Sequence, residues 1–135
     1  MAKAQRVKYF KLNLENKPGA LLKIMSELKA KNLGLCGIWG FATHAEKAEL
    51  FAVPKNPDKL RSMWTASGLL ADEGTGFWLK GIDRTGALNK SLEALANAGV
   101  NIDSIDAIAV GGRFGSFIWV GPADIEKAAA ALGAK

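Results

Sequence analysis

The chain contains the same unit twice, and no other feature constrains it as much. Asn16-Lys17-Pro18-Gly19-Ala20-Leu21 returns as Asp83-Arg84-Thr85-Gly86-Ala87-Leu88, an offset of 67 residues (Gly86 minus Gly19). The offset continues downstream, where Leu33-Gly34-Leu35 corresponds to Val100-Asn101-Ile102 and Val53 to Val120. A period this long exceeds that of a solenoid repeat and fits one small domain duplicated. A unit of about 65 residues buries only a thin core, so the two copies are expected to stabilise one another. The boundary between them is expected near residue 74, giving modules 1–74 and 75–135.

Composition excludes several classes. Hydrophobic residues make up 49% of the 135, a globular rather than a disordered balance. No apolar run approaches the roughly 20 residues that span a bilayer. Met1 to Arg6 carries positive charge without an apolar stretch behind it, so no signal peptide and no membrane association are expected, and the cytoplasm is the expected location. A single cysteine, Cys36, excludes an internal disulfide and any multi-cysteine metal site. The net charge of +5 gathers in Lys3, Arg6, Lys8 and Lys11, then in Lys17, Lys23, Lys29 and Lys31. Acidic residues are spread along the chain and no nucleic-acid motif accompanies the lysines. They read as a solvated face, and no nucleic-acid partner is expected.

Each copy reads as strand, helix, strand, strand, helix. Val7 to Leu14 is strand-like, and Leu21, Ile24, Met25 and Leu28 fall on one helical face. Leu35 to Phe41 and Glu49 to Val53 flank a polar loop, a hairpin signal. Pro57-Asp58 opens a second helix carrying Leu60, Met63 and Trp64. In the second copy Phe77 to Ile82 is the strand, and Leu88, Leu92 and Leu95 line the helix. Asn101 to Val110 and Phe114 to Val120 enclose Gly111-Gly112-Arg113, and Pro122 starts a last helix with Ile125, Ala128, Ala129 and Leu132. The alternation predicts an α+β fold of two ferredoxin-like βαββαβ units, antiparallel sheets with helices on one face.

Chemistry concentrates in the turn from first strand to first helix. Asn16 and Asp83 are suited to accept the orphan amides of a helix start. Pro18 sits where a missing N–H costs nothing, and Gly19 and Gly86 remove the Cβ where a backbone or ligand comes close. Amides at a helix N-terminus attract a carboxylate.

These residues resemble the ACT domain family. Asn16-x-Pro18-Gly19-x-Leu21, with its amphipathic helix ending near Asn32-Leu33-Gly34, is similar to the family's opening motif. Asp83-x-x-Gly86-x-Leu88, followed by Ala98-Gly99-Val100-Asn101-Ile102, matches better, with Thr85 where the family has proline. The resemblance covers residues 6 to about 131 as two tandem modules. It implies βαββαβ regulatory units that bind amino acids at interfaces between paired modules and control separate metabolic enzymes. It also implies that the ligand contacts the loop after the first strand and the second strand. Carried across, these are Asn16, Pro18, Gly19, Ala20, Leu21, Leu35 and Cys36 in copy one. In copy two they are Asp83, Thr85, Gly86, Ala87, Leu88, Ile102 and Asp103. No catalytic residue, cofactor or metal is implied.

Copy two ends at Lys135 directly after its last helix, leaving its sheet short of a strand. Leu69 to Glu73, followed by Gly74-Thr75-Gly76, is expected to fold back as a hairpin on Phe77 to Ile82 and fill that place. Short or missing edge strands and four tryptophans favour a homodimer. His44, the only histidine, reads as a surface residue, and Cys36 as core. The alternatives are a small enzyme resembling acylphosphatase and a purely structural assembly module. The first would need an arginine held in the first loop by a glycine-rich turn, which Arg84 lacks.

Overall fold

The computed structural model describes Met1–Lys135. The strands are β1 (Lys3–Glu15), β2 (Leu35–His44), β3 (Lys47–Pro54), β4 (Leu70–Ile82), β5 (Ile102–Val110) and β6 (Arg113–Val120). The helices are α1 (Ala20–Ala30), α2 (Pro57–Ala66), α3 (Asn89–Asn97) and α4 (Ile125–Leu132). The chain divides into two compact units, one of Lys8–Gly74 and one of Met1–Val7 with Thr75–Lys135.

In the Lys8–Gly74 unit the strand order is β2-β3-β1-β4, with β1–β3 and β2–β3 antiparallel. Phe10 pairs with Ala52 and Leu12 with Leu50, so alternate residues face the helices. They meet Ile24 and Leu28 of α1 and Leu60 and Trp64 of α2, all buried. Leu69 and Leu70 complete this core. Leu21, expected on the buried face of α1, is 47% exposed, because the helix begins at Ala20 and its first turn clears the sheet.

The second unit repeats this order as β1-β4-β6-β5, with β4–β6 and β5–β6 antiparallel. Its core is Phe77, Leu79, Leu95, Val100, Ile118, Val120, Ala128, Ala129 and Leu132, with Ala2 and Ala4 packed against it. The missing strand is therefore the start of β1, not the predicted hairpin. Leu70–Ile82 is one continuous strand whose first residues serve the first unit. The glycines that signalled a turn are strand glycines. A Cβ on Gly74 would lie 2.5 Å from the Tyr9 hydroxyl, and one on Gly76 would lie 2.4 Å from Cζ of Phe117. Each glycine makes room for an aromatic ring lying across the strand.

Arg6 clamps the borrowed strand to its unit. Its two terminal nitrogens donate to the two carboxylate oxygens of Glu126 on α4, at 2.7 and 3.0 Å. On the opposite face the Trp78 indole N–H donates to Gln5 Oε1 at 3.3 Å.

The duplication is not in constant register. Leu35 pairs with Pro54, whereas its counterpart Ile102 pairs with Val120, so the offset falls to 66 in β6 (Val120 minus Pro54). Copy one carries a bulge between Ala42 and His44 that copy two lacks. Val53 therefore matches Trp119 rather than Val120. The β5–β6 turn is Gly111-Gly112, with φ of 62° and 81°, the left-handed pair that a two-residue hairpin needs.

Candidate functional site

Neither first loop caps its helix as the sequence implied. The Asn16 side-chain amide donates to the carbonyls of His44 and Ala45, at 3.4 and 3.2 Å, tying the end of β1 to the β2–β3 turn. The cap of α1 is Gly19, with φ of 87° and no side-chain bond. A Cβ on Gly19 would meet nothing within 4 Å, so its backbone conformation, not a close approach, calls for glycine. Pro18 precedes the helix instead of opening it, and the Ala20 amide is taken by the Lys17 carbonyl at 3.3 Å. In copy two the cap of α3 is Leu88. Asp83 donates its backbone N–H to the Gly112 carbonyl at 2.9 Å, and Ala87 to that of Arg84 at 3.0 Å. Gly86 has φ of 78°, and the Asn89 side chain lies 3.3 Å from where its Cβ would be.

The two loops differ in charge. In copy one Lys17 pairs with Glu15 at 2.8 Å, which holds the Glu15 carboxyl below the ordinary carboxylate range. In copy two Ile82 stands in place of Glu15. Neither Asp83 nor Arg84 has a side-chain hydrogen bond or ion pair, and both are exposed. They flank a groove of about 460 Å³ lined also by Gly86, Ala87, Leu88, Asn89 and Leu92, with Ala107, Ile108, Ala109 and Phe114 beneath. That volume falls within the roughly 300–1,000 Å³ of small-molecule sites.

The strand residues expected at the site lie elsewhere. A first strand and the second strand of its unit both run antiparallel to the strand between them, so they run parallel to each other. The loop leaving the end of the first strand is thus level with the end of the second strand, not its start. Asn16 accordingly reaches His44, and the Asp83 loop reaches Ala107–Ala109. Ile102 and Asp103 stand at the far end of β5, where the Asn101 side chain donates to Asp103 at 3.3 Å. Leu35 and Cys36 line a separate groove of about 380 Å³ with Met25, Leu28 and Leu33, whose only charged side chain is Lys29. Cys36 is exposed, not core, because it points away from the helices at the start of an edge strand. His44 is a surface residue whose Nδ1 accepts from the Glu46 amide at 3.4 Å. Arg84, Asn89 and Leu92 were missed as groove residues, although the repeat itself signals them by extending the loop into the helix.

No protein-family profile and no curated protein matches the sequence. Solved structures do match. Protein BT0572 from Bacteroides thetaiotaomicron is 24% identical, with a TM-score of 0.81 over 96% of this chain and 88% of that one. The ligand-free regulatory subunit of aspartate kinase from Thermus thermophilus is 13% identical, with a TM-score of 0.62 over 96% and 91%. The same subunit from Thermus flavus gives 16% and 0.58, over 98% and 94%.

The fold is the ACT fold.

Aspartate kinase regulatory subunits share it along nearly their whole length, as the loop motifs implied. No group of three or more His, Cys, Asp or Glu side chains gathers as metal ligands. No helix is long and apolar enough to cross a membrane.

Proposed function

We propose that the chain is a regulatory module built of two ACT-type units, which binds a free amino acid and acts on a separate metabolic enzyme. The observation that carries this reading is the groove of the second unit. It sets an uncommitted carboxylate, Asp83, beside an uncommitted guanidinium, Arg84, at the mouth of an apolar cleft. An α-amino acid is complementary to that arrangement: its ammonium meets Asp83, its carboxylate meets Arg84, and an aliphatic side chain enters toward Leu92 and Phe114. Gly86, Ala87 and Leu88 line the groove beside them, while Thr85 is exposed and outside its lining. The matching loop of copy one, Asn16 to Leu21, has its cation spent on Glu15 and its asparagine spent on the hairpin, so the proposal assigns it a structural role. Leu35, Cys36, Ile102 and Asp103 enter only as surfaces offered to a second copy in a homodimer. The resemblance to aspartate kinase regulatory subunits supports a regulatory rather than a catalytic role.

Calorimetry of the chain against the twenty amino acids tests this. One small aliphatic amino acid should bind to the wild type and bind at least tenfold more weakly to Asp83→Ala and to Arg84→Ala, while Asn16→Ala leaves binding unchanged. Wild-type affinity in both Asp83→Ala and Arg84→Ala would remove the groove from the account.

A further inference from the structure

A third groove exists only because the start of β1 belongs to the second unit. It has a volume of about 480 Å³ and is lined by Ala2, Lys3, Ala4 and Gln5 of the borrowed strand, Trp78 and Lys80 of β4, and the end of α4. Three of its lining residues are lysines, Lys3, Lys80 and Lys135, and none has an acidic side chain. The ion pairs of the chain use Arg6, Lys11, Lys17, Arg61 and Lys127, which leaves the groove lysines without carboxylate partners. Beside them lies one half-exposed indole, oriented by its hydrogen bond to Gln5. The first unit has no such arrangement. There the residue matching Trp78 is Lys11, neutralised by Glu49 at 2.6 Å, and the residue matching Gln5 in the last strand is acidic, within Asp72-Glu73.

We infer that this groove binds a nucleoside phosphate, its base against Trp78 and its phosphates between Lys3 and Lys80. Unpartnered lysines lining a cleft attract a compact polyanion, and an indole adds affinity for a flat aromatic ring. A single nucleotide fits better than a nucleic acid strand. The neighbouring ring, Phe117, is only 6% exposed and is covered edge-on by Trp119 at 5.3 Å, so no row of open rings is offered to successive bases. This site is separate from the Asp83 groove, and the inference stands whether or not an amino acid binds there.

The test is calorimetry of the full chain with ATP at low salt, supported by tryptophan fluorescence. One ATP should bind per chain, with affinity that falls as salt is raised. The Lys3→Ala/Lys80→Ala double variant, altered only at exposed positions, should melt as the wild type does and bind at least tenfold more weakly. Tripolyphosphate and adenosine should each bind at least tenfold more weakly than ATP. Three results would overturn the inference: no saturable binding at millimolar ATP, undiminished binding by the double variant, or tripolyphosphate matching ATP. Tighter binding of an oligodeoxythymidine than of ATP would replace the nucleotide with a nucleic acid and equally defeat it.

Discussion

Replacing Gly76 by alanine tests whether Leu70–Ile82 is one strand or two strands joined by a turn. In the structure the new Cβ would lie 2.4 Å from Cζ and 2.7 Å from Cε1 of Phe117, and 3.3 Å from the Ile118 carbonyl oxygen. Such overlap cannot stand. Phe117 is 6% exposed and packed edge-on against Trp119, so the ring has no open space to swing into. Displacing a packed ring costs about 1–3 kcal/mol. Removing a strand glycine returns about 0.5–1 kcal/mol, because alanine loses less backbone freedom on folding. The net expectation is a loss of about 1–2 kcal/mol. For a chain of this size that is a fall in Tm of roughly 3–10 °C by scanning calorimetry. Gly115→Ala is the matched control, since its Cβ would meet nothing within 4 Å and its φ is not positive. It should melt at or slightly above the wild-type temperature. A Gly76→Ala protein as stable as Gly115→Ala would refute the reasoning, because it would mean that no ring lies over Gly76.

Three further outcomes follow from the packing and the charges. The Trp64 indole N–H is buried without a partner, so Trp64→Phe should cost less than about 1.5 kcal/mol and Trp64→Ala about 3–5 kcal/mol in urea unfolding, a gap that equal losses would contradict. The Ser91 hydroxyl is likewise buried and unpartnered in α3, where copy one has Ile24, so Ser91→Ala should raise stability by about 1 kcal/mol, measured the same way. Arg6 holds the Glu126 carboxyl below the ordinary carboxylate range. The pair's stabilising effect is therefore complete above that range and lost as pH falls through the lowered value. Stability should accordingly fall more steeply on the acid side in the wild type than in Arg6→Ala, and coincident acid profiles would show that the clamp does not form.

The repeat made the element order, the two cores and the first-loop motif legible, because periodicity and spacing are properties of local sequence. The β5–β6 turn was legible for the same reason: Gly111-Gly112 needs no tertiary information. The strand exchange was not. Ala2 and Ala4 are too small to announce a core strand, and Gly74-Thr75-Gly76 carries turn chemistry whose actual use, space for Tyr9 and Phe117, depends on partners far along the chain. The capping roles of Asn16 and Asp83 failed because the helices start later than the motif suggests, with caps at Gly19 and Leu88, so both side chains stand too far upstream to reach the first-turn amides. Four of the fourteen expected site residues, Leu35, Cys36, Ile102 and Asp103, stand apart from the loops for a topological reason. Motif resemblance named a loop and a strand, but strand direction puts Ala107–Ala109, not Ile102 and Asp103, beside that loop.

The central structural claim is that Met1–Val7 supplies the last strand of the second unit. Hydrogen exchange and NOE measurements by NMR on the intact chain address it directly. Alternate amides of Lys3–Val7, those that face β4, should be protected together with those of Phe77–Ile82, and the Trp78 indole proton should show an NOE to the Gln5 side chain. Unprotected amides at Lys3–Val7, with cross-strand NOEs from Leu70–Glu73 to Phe77–Ile82, would restore the hairpin and contradict the account.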